Sequence, residues 1–534
     1  MSGSSTGEIS LPTSAARSSA TVAAWTLVSR VTGLGRVVVI GAVLGPTFLA
    51  NCFVATNVVP NMVYLAIAGT VLGAVVVPAI VRTAAAAGIG GAADMLGRLT
   101  GYLLAASGAV CALLLVCSPL IARLLTFGIT DPALRSRAEY LTVLMLFFVT
   151  PQVVCYMIAT VGAAAQQARG RFGLAAAAPA VENIGVIVTV VAVGHIYGHG
   201  VEISDAPVGL VIALCTGSTL SVALHMALQL IGAARVGLPV RPRLPLRSDP
   251  RTSEITHRIR ESSVVAASPV ASYFILLVLA GTVPGGVLVV QIAYAVYSLP
   301  VALGARAVSI AVLPGLSVAA GRSDRSAFND KVREGIVYAV IAGLPPLILL
   351  FTFASPIADV LANGQLRVAG LIESLAGCLV VLAVAQLAAG LHEVCRQALF
   401  ARLDVRGPRI AALLAFGTTL ATGLVVLLAQ AGNDRLIGLG AAVLASDIAA
   451  VTTVIVLLRK EIRPEPIADR RRLGAAALAS TVMLPLAALG WVLLEFLHGN
   501  RAVDLLIVSM TSALALGLFG LTLRATIGPP RTAR

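Results

Sequence analysis

Two arginines six positions apart, Arg30 and Arg36, stand in an apolar stretch near the amino end of a 534-residue chain. A guanidinium at mid-membrane costs about 2.5–3.5 kcal/mol on insertion scales, so such a residue normally faces a cavity or a partner. On a helix the two lie about 9 Å apart along the axis and roughly 120° apart around it, so only their long side chains bring both heads into one cavity. There they could hold a phosphate-bearing headgroup, because a guanidinium presents a fork of donors that matches phosphate oxygens. The competing reading pairs Arg30 with a carboxylate and lets Arg36 snorkel to an interface.

Other charges in apolar surroundings form a second set of candidates. Glu393 and Arg396 are spaced i, i+3 beside His392, which suits an internal ion pair on one helical face. Glu182, Arg306 and Asp447 are isolated in their spans, so each needs a partner from another helix. Glu182 or Asp447 could carry a proton or couple a cation; a structural bond between helices explains them equally well. His195 and His199 share the i, i+4 spacing of metal ligands, but the neighbouring glycines Gly194, Gly198 and Gly200 favour a solvated helix end.

Several chemistries lack their residues. There is no Gly-rich loop ending in Gly-Lys-Ser/Thr, and the chain has only two lysines, Lys331 and Lys460, so ATP is not expected as fuel. No HExxH, GxSxG or paired-acid motif is present, so neither an enzyme activity, a metal nor a cofactor is expected. The seven cysteines all fall in apolar spans without CxxC spacing, which suits small packing residues rather than disulfides.

The elements that must position these residues are membrane helices. The chain is 58% hydrophobic and 12% charged, with a mean hydropathy of +0.96, against about a quarter charged residues in soluble domains. Apolar stretches of roughly 20 residues recur, each long enough to cross a bilayer as a helix. Runs such as Leu347-Ile348-Leu349-Leu350 are apolar on every side and exclude the alternation of a β-barrel. Helices are predicted near 22–44, 50–81, 98–122, 138–165, 174–195, 207–234, 263–282, 286–318, 334–354, 368–400, 410–430, 436–458, 473–495 and 503–523. The fold class is an all-α polytopic membrane protein with about 14 transmembrane helices, arranged as two six-helix lobes plus two C-terminal helices.

Charge sets the expected orientation. Of 38 Lys and Arg, 28 fall in the termini and the loops on their side, and six fall in the opposite loops: Arg123, Arg135, Arg137, Arg367, Arg435 and Arg501. By the positive-inside rule both termini are expected to be cytoplasmic. The net charge of +14 then reflects topology and attraction to anionic lipid headgroups, and no nucleic-acid partner is expected. The expected division is a cytoplasmic tail at 1–21, with no cleavable signal-peptide pattern, a lobe at 22–234, a Pro- and Arg-rich linker at 235–262, a second lobe at 263–458, a basic loop at 459–472 and two further helices within 473–534. Two lobes with a site between them are a recurrent transporter plan.

At several points the sequence resembles the MviN/MurJ-type lipid II flippases of the multidrug/oligosaccharidyl-lipid/polysaccharide exporter superfamily. Their opening Ser-Arg-x-x-Gly-Phe-x-Arg-Asp appears as Ser29-Arg30-Val31-Thr32-Gly33-Leu34-Gly35-Arg36-Val37, and Asp-Ala-Phe with a following Pro-Asn appears as Asn51-Cys52-Phe53 and Pro60-Asn61, with Pro78 at the later proline. Further matches are Arg171-Phe172 with Pro179 and Asn183, Pro300 with Leu313-Pro314 and Leu316-Ser317, and Phe400-Ala401-Arg402-x-Asp404 with Pro408.

The resemblance implies a flippase that carries an undecaprenyl-pyrophosphate-linked peptidoglycan precursor from the inner to the outer leaflet of the bacterial cytoplasmic membrane by alternating access, with Arg30 and Arg36 as substrate-binding residues. The sequence departs from the family at Val37 and Asn51, where acids are usual, and at Val58, Tyr64-Leu65 and Ala295, where cations are usual. Two other functions fit this altered charge: export of another polyprenyl-linked oligosaccharide, or a transport-inactive scaffold that recruits cell-wall synthesis proteins. Membrane lipids are expected partners in each case.

Overall fold

The computed structural model describes residues 13–67, 69–243, 250–462, 466–497 and 500–527. Parts of the expected tail 1–21, linker 235–262, loop 459–472 and carboxyl end lie outside them. The described chain is helical, with no strand among the described residues. Among the described residues, thirteen helices are long and apolar enough to cross a membrane, and Val265–Ala280 is a shorter apolar one. Large apolar side chains such as Leu113, Val116, Phe496 and Leu514 point outward, which water would penalise and lipid does not. The protein is a multi-pass membrane protein.

The first half runs α1 (Thr13–Leu44), α2 (Phe48–Ile67), α3 (Gly69–Thr126), α4 (Pro132–Val149), α5 (Gln152–Ala168), α6 (Gly173–Tyr197) and α7 (Val208–Arg235). The second half runs α8 (Pro250–Ala280), α9 (Gly286–Pro300), a π turn at Val301–Ala305, α10 (Arg306–Gly321), α11 (Arg325–Thr352), α12 (Ala354–Leu361), α13 (Ala369–Ala401), α14 (Arg406–Ala429) and α15 (Asp434–Ile462). Three more helices follow: α16 (Arg470–Thr481), α17 (Met483–Leu497) and α18 (Arg501–Ile527), which pack against α11 and α12.

Local chemistry accounts for where the helices bend. The break predicted between residues 82 and 97 falls at Gly88, where two helical segments of α3 meet across a kink whose φ of 69° a side chain would resist. The single predicted helix 138–165 divides at Thr150–Pro151, because proline cannot donate to the preceding turn. Pro300 precedes the π turn for the same reason, and the wider turn resets the face on which Arg306 emerges. The helix α8 begins at Pro250, inside the stretch read as linker.

Three apolar cores show how the halves meet. One large core joins residues of both, including Leu44, Phe53 and Val193 of the first half and Val287, Leu375 and Leu439 of the second. At the other face the halves keep separate cores: Ile80, Leu99 and Val161 in the first, and Leu316, Phe328 and Leu458 in the second. The molecule is therefore closed at the face where α1 ends and divided at the face where α1 begins.

The closed face is fastened by backbone contacts that leave no room for side chains. Gly364 approaches Ala42 so closely that a Cβ would lie 2.5 Å from its carbonyl oxygen, and a Cβ on Gly285 would lie 2.7 Å from Pro46. Asn51, on α2, donates through Nδ2 to the Val283 carbonyl at 2.7 Å and accepts from the Val287 amide at 3.1 Å. Here the departure from the family's acid has a reason: aspartate could accept from that amide but could not donate to that carbonyl.

Candidate functional site

In the first half, the chemistry gathers on α1, α5, α6 and α7. Small residues let these helices approach: a Cβ on Gly33 would sit 3.4 Å from Asn183, and one on Gly185 would sit 2.5 Å from Ser221. The Asn183 amide donates to the Ser29 carbonyl at 3.1 Å and to Thr32 Oγ1 at 3.3 Å, locking α6 to α1. One helical turn on, Arg36 comes beside Glu182, with Nη1 3.8 Å from Oε1.

Glu182 is buried, at 6% exposure, and its oxygens are fully engaged. Tyr156 donates its hydroxyl to Oε1 at 2.8 Å, and His225 Nδ1 lies 2.7 Å from Oε2. Tyr64 stacks on Tyr156 with ring centroids 5.9 Å apart and accepts a hydrogen bond from Thr160 at 2.7 Å. Neutral tyrosine thus occupies a position where the family usually carries a cation. Arg36 also lies within electrostatic range of Tyr273 on α8, so it stands where the two halves adjoin.

The second half has a different arrangement. Asp447, on α15, accepts from the Tyr297 hydroxyl at 2.7 Å, and Tyr294 packs between Tyr273 and Tyr297 with centroid distances of 4.5 and 5.2 Å. A cavity of about 130 Å³ lies beside them, bounded also by His392 and Arg396. Arg396 pairs with Glu393 on the same helix and lies over the ring of Phe400. Among the described residues, His392 Nε2 and Arg396 Nε are buried without a hydrogen-bond partner.

Arg30 and Arg306 are solvent-exposed, one in each half, and within electrostatic range of each other. Neither forms an ion pair among the described residues. Arg306 also acts on Glu393, which links this pair of arginines to the second-half cluster. The structure thus brings Glu182 to Arg36 and Asp447 to Tyr297, while Arg30 and Arg36 have different surroundings. The sequence reading missed His225, Tyr156 and the tyrosines of α8 and α9. A histidine inside an apolar span was the available signal for His225.

His195 and His199 are exposed at the end of α6, on the closed face. The six arginines assigned to the minority side also lie on that face, each with a protein partner: Glu139 for Arg123 and Arg135, the Ala206 carbonyl for Arg137, Asp359 for Arg367 and Arg501, and Thr282 for Arg435.

The arrangement of the helices is shared with solved membrane transporters. It is similar to a solved inward-facing multidrug resistance MATE family transporter of the MOP superfamily, at a TM-score of 0.63 and 16% identity over 81% of this chain and 94% of that one. A MOP superfamily transporter from Pyrococcus furiosus is similar at 0.57 and 17% identity, over 84% and 95% of the two chains.

Within that class, the sequence profile of the lipid II flippase MurJ family matches residues 40–511, and the chain belongs to that family. A solved lipid II flippase MurJ in an inward closed conformation is similar over 94% of this chain and 99% of that one, with a TM-score of 0.71 and 16% identity.

Proposed function

We propose that the protein moves lipid II, the undecaprenyl-pyrophosphate-linked peptidoglycan precursor, from the cytoplasmic to the outer leaflet of the bacterial cytoplasmic membrane. It works by alternating access between α1–α7 and α8–α15, which act as two lobes, with both termini in the cytoplasm and the divided face opening there. The observation that carries the reading is the division of the core, shared at one face and separate at the other, with Arg30, Arg36 and Arg306 near the boundary. Arg30 and Arg36 take the phosphate-bearing headgroup, since an unpaired or loosely paired guanidinium keeps its donors for an incoming anion.

An anionic headgroup crossing a membrane potential exchanges about 2.3 kcal/mol per charge per 100 mV. No nucleotide motif offsets this, so transport draws on the potential or an ion gradient, with Glu182 and Asp447 as coupling groups. The neutral residues at Val58, Tyr64 and Ala295 support a second reading, export of a different polyprenyl-linked oligosaccharide, which shares the lipid and differs in the headgroup.

The test is flipping of fluorescent lipid II by the protein in vesicles. The double variant R30A/R36A is expected to insert normally and to lose at least tenfold in rate, and an ionophore is expected to slow the wild type. Normal flipping by R30A/R36A would remove the assigned role. Wild-type protein that ignores lipid II but moves another polyprenyl-linked glycan would favour the second reading.

A further inference from the structure

The hydrogen-bond network around Glu182 suits one neutral tautomer of His225. Gln229 Oε1 accepts from Gln166 at 2.7 Å, and Gln229 Nε2 donates to the Ala175 carbonyl at 3.1 Å, so the amide is oriented by both ends. Its second hydrogen is then left for His225 Nε2, at 3.4 Å. In the tautomer in which Nε2 accepts, Nδ1, 2.7 Å from a carboxylate oxygen, donates. His225 in that tautomer is neutral, and Arg36 is the cation beside Glu182.

Every other group facing the pair is neutral in this state. Tyr156 and Cys155 face it from α5, Tyr64 backs Tyr156 from α2, and Tyr273 faces Arg36 from α8. Across α5, Cys111 of α3 lies beside Cys155. The charged residues Arg135, Arg137 and Glu139 of α4 are engaged at the closed face, and Asp94 of α3 is paired with Arg243 at the divided one. If Arg36 turns to a phosphate, Glu182 is left as a carboxylate with no cation in a low-dielectric interior, a costly state that a proton relieves.

We propose that the buried His225–Glu182 pair is a proton site governed by Arg36: it takes up one proton from the aqueous phase when Arg36 leaves Glu182 for an anionic headgroup and releases it when Arg36 returns. The polar ladder from His225 through Gln229 to Gln166 gives the proton a route, because Gln166 lines an open groove at the divided face together with Arg171 and Arg235. A proton at Nε2 breaks the bond from the Gln229 amide. Headgroup binding and proton uptake then favour each other, and linkage makes the effect reciprocal. The inference rests on the reading that Arg36 binds the headgroup.

Two measurements separate the inference from that reading. In nanodiscs, ¹⁵N-histidine spectra, with His225 assigned by its loss in H225Q, are expected to show His225 holding its proton to higher pH in R36Q than in wild type. Identical titration in the two proteins would overturn the proposal without any ligand being present. The affinity of wild type for undecaprenyl pyrophosphate is expected to rise as pH falls, by up to about tenfold per pH unit for one linked proton. E182Q, which keeps an acceptor for Tyr156 but has no charge for Arg36 to leave behind, should bind with a flat profile, and a profile unchanged from wild type would overturn the proposal. Failure of the wild type to bind undecaprenyl pyrophosphate at any pH would instead refute the headgroup reading, and the spectra alone would then decide whether Arg36 controls the pair.

Discussion

Each half of the molecule holds a carboxylate bonded to another helix in its span region, Glu182 buried and Asp447 half-buried, and the two are held in different ways. Glu182 is engaged by side chains from α1, α5 and α7, one of them a cation. Asp447 has a single hydrogen bond, from Tyr297, and borders a cavity of about 130 Å³ lined also by Arg396 and His392. A carboxylate engaged from three neighbouring helices ties those helices together. One with spare lone pairs and space beside it can take water or another ligand without disturbing the packing. The first half is therefore the more tightly specified, and charge removal there should cost more.

The largest effect should come from E182A, which leaves a guanidinium, an imidazole and a phenol without their shared acceptor. Breaking a buried pair in this way costs about 3–5 kcal/mol. Thermal unfolding of the purified protein should show it, with D447A losing clearly less; equal losses would break the comparison. E182Q keeps an acceptor for Tyr156 and should recover much of the stability, which would sharpen the distinction between shape and charge.

N51D should be next. It removes the donor to the Val283 carbonyl while placing a charge at the closed face, for a cost of about 1–3 kcal/mol. Cysteines placed at Ala42 and Gln365 should cross-link more slowly in N51D, since that face would open more often. An unchanged rate would show that the glycine contacts hold the face without Asn51.

Y297F should have a smaller effect, about 1 kcal/mol, because the cavity allows water to replace the lost donor to Asp447. A cost matching that of E182A would mean that the second-half carboxylate is as tightly held as the first. Smallest of all should be E139Q, at the exposed Arg135 pair, with under about 0.5 kcal/mol.

Local patterns carried the sequence reading a long way. Apolar runs located the spans because a membrane helix must satisfy its own backbone and present apolar side chains, both of which are local demands. The same logic marked Arg30, Arg36, Glu182, Arg306, Glu393, Arg396 and Asp447, since a charge among apolar neighbours stands out without knowledge of the fold. The i, i+3 spacing also anticipated the Glu393–Arg396 pair, which lies within a single helix. The bends were less legible. Gly88 is one of three glycines within four residues, and only the backbone shows which of them turns the chain.

What the sequence determined by itself was the all-helical membrane fold and the charged residues worth watching. What tertiary structure decided was their partners. Glu182 meets Tyr156 and His225 from 26 and 43 positions away, and Asp447 meets Tyr297 from 150 away. The outward arginines, exceptions when counted by loop, find carboxylates, carbonyls and a hydroxyl on the closed face. Partner choice depends on which helices are adjacent and at what height they cross, and packing of whole helices sets both. A charge in an apolar run announces that it needs a partner, but only the assembled bundle determines whether that partner is a cation, a tyrosine or the edge of a cavity.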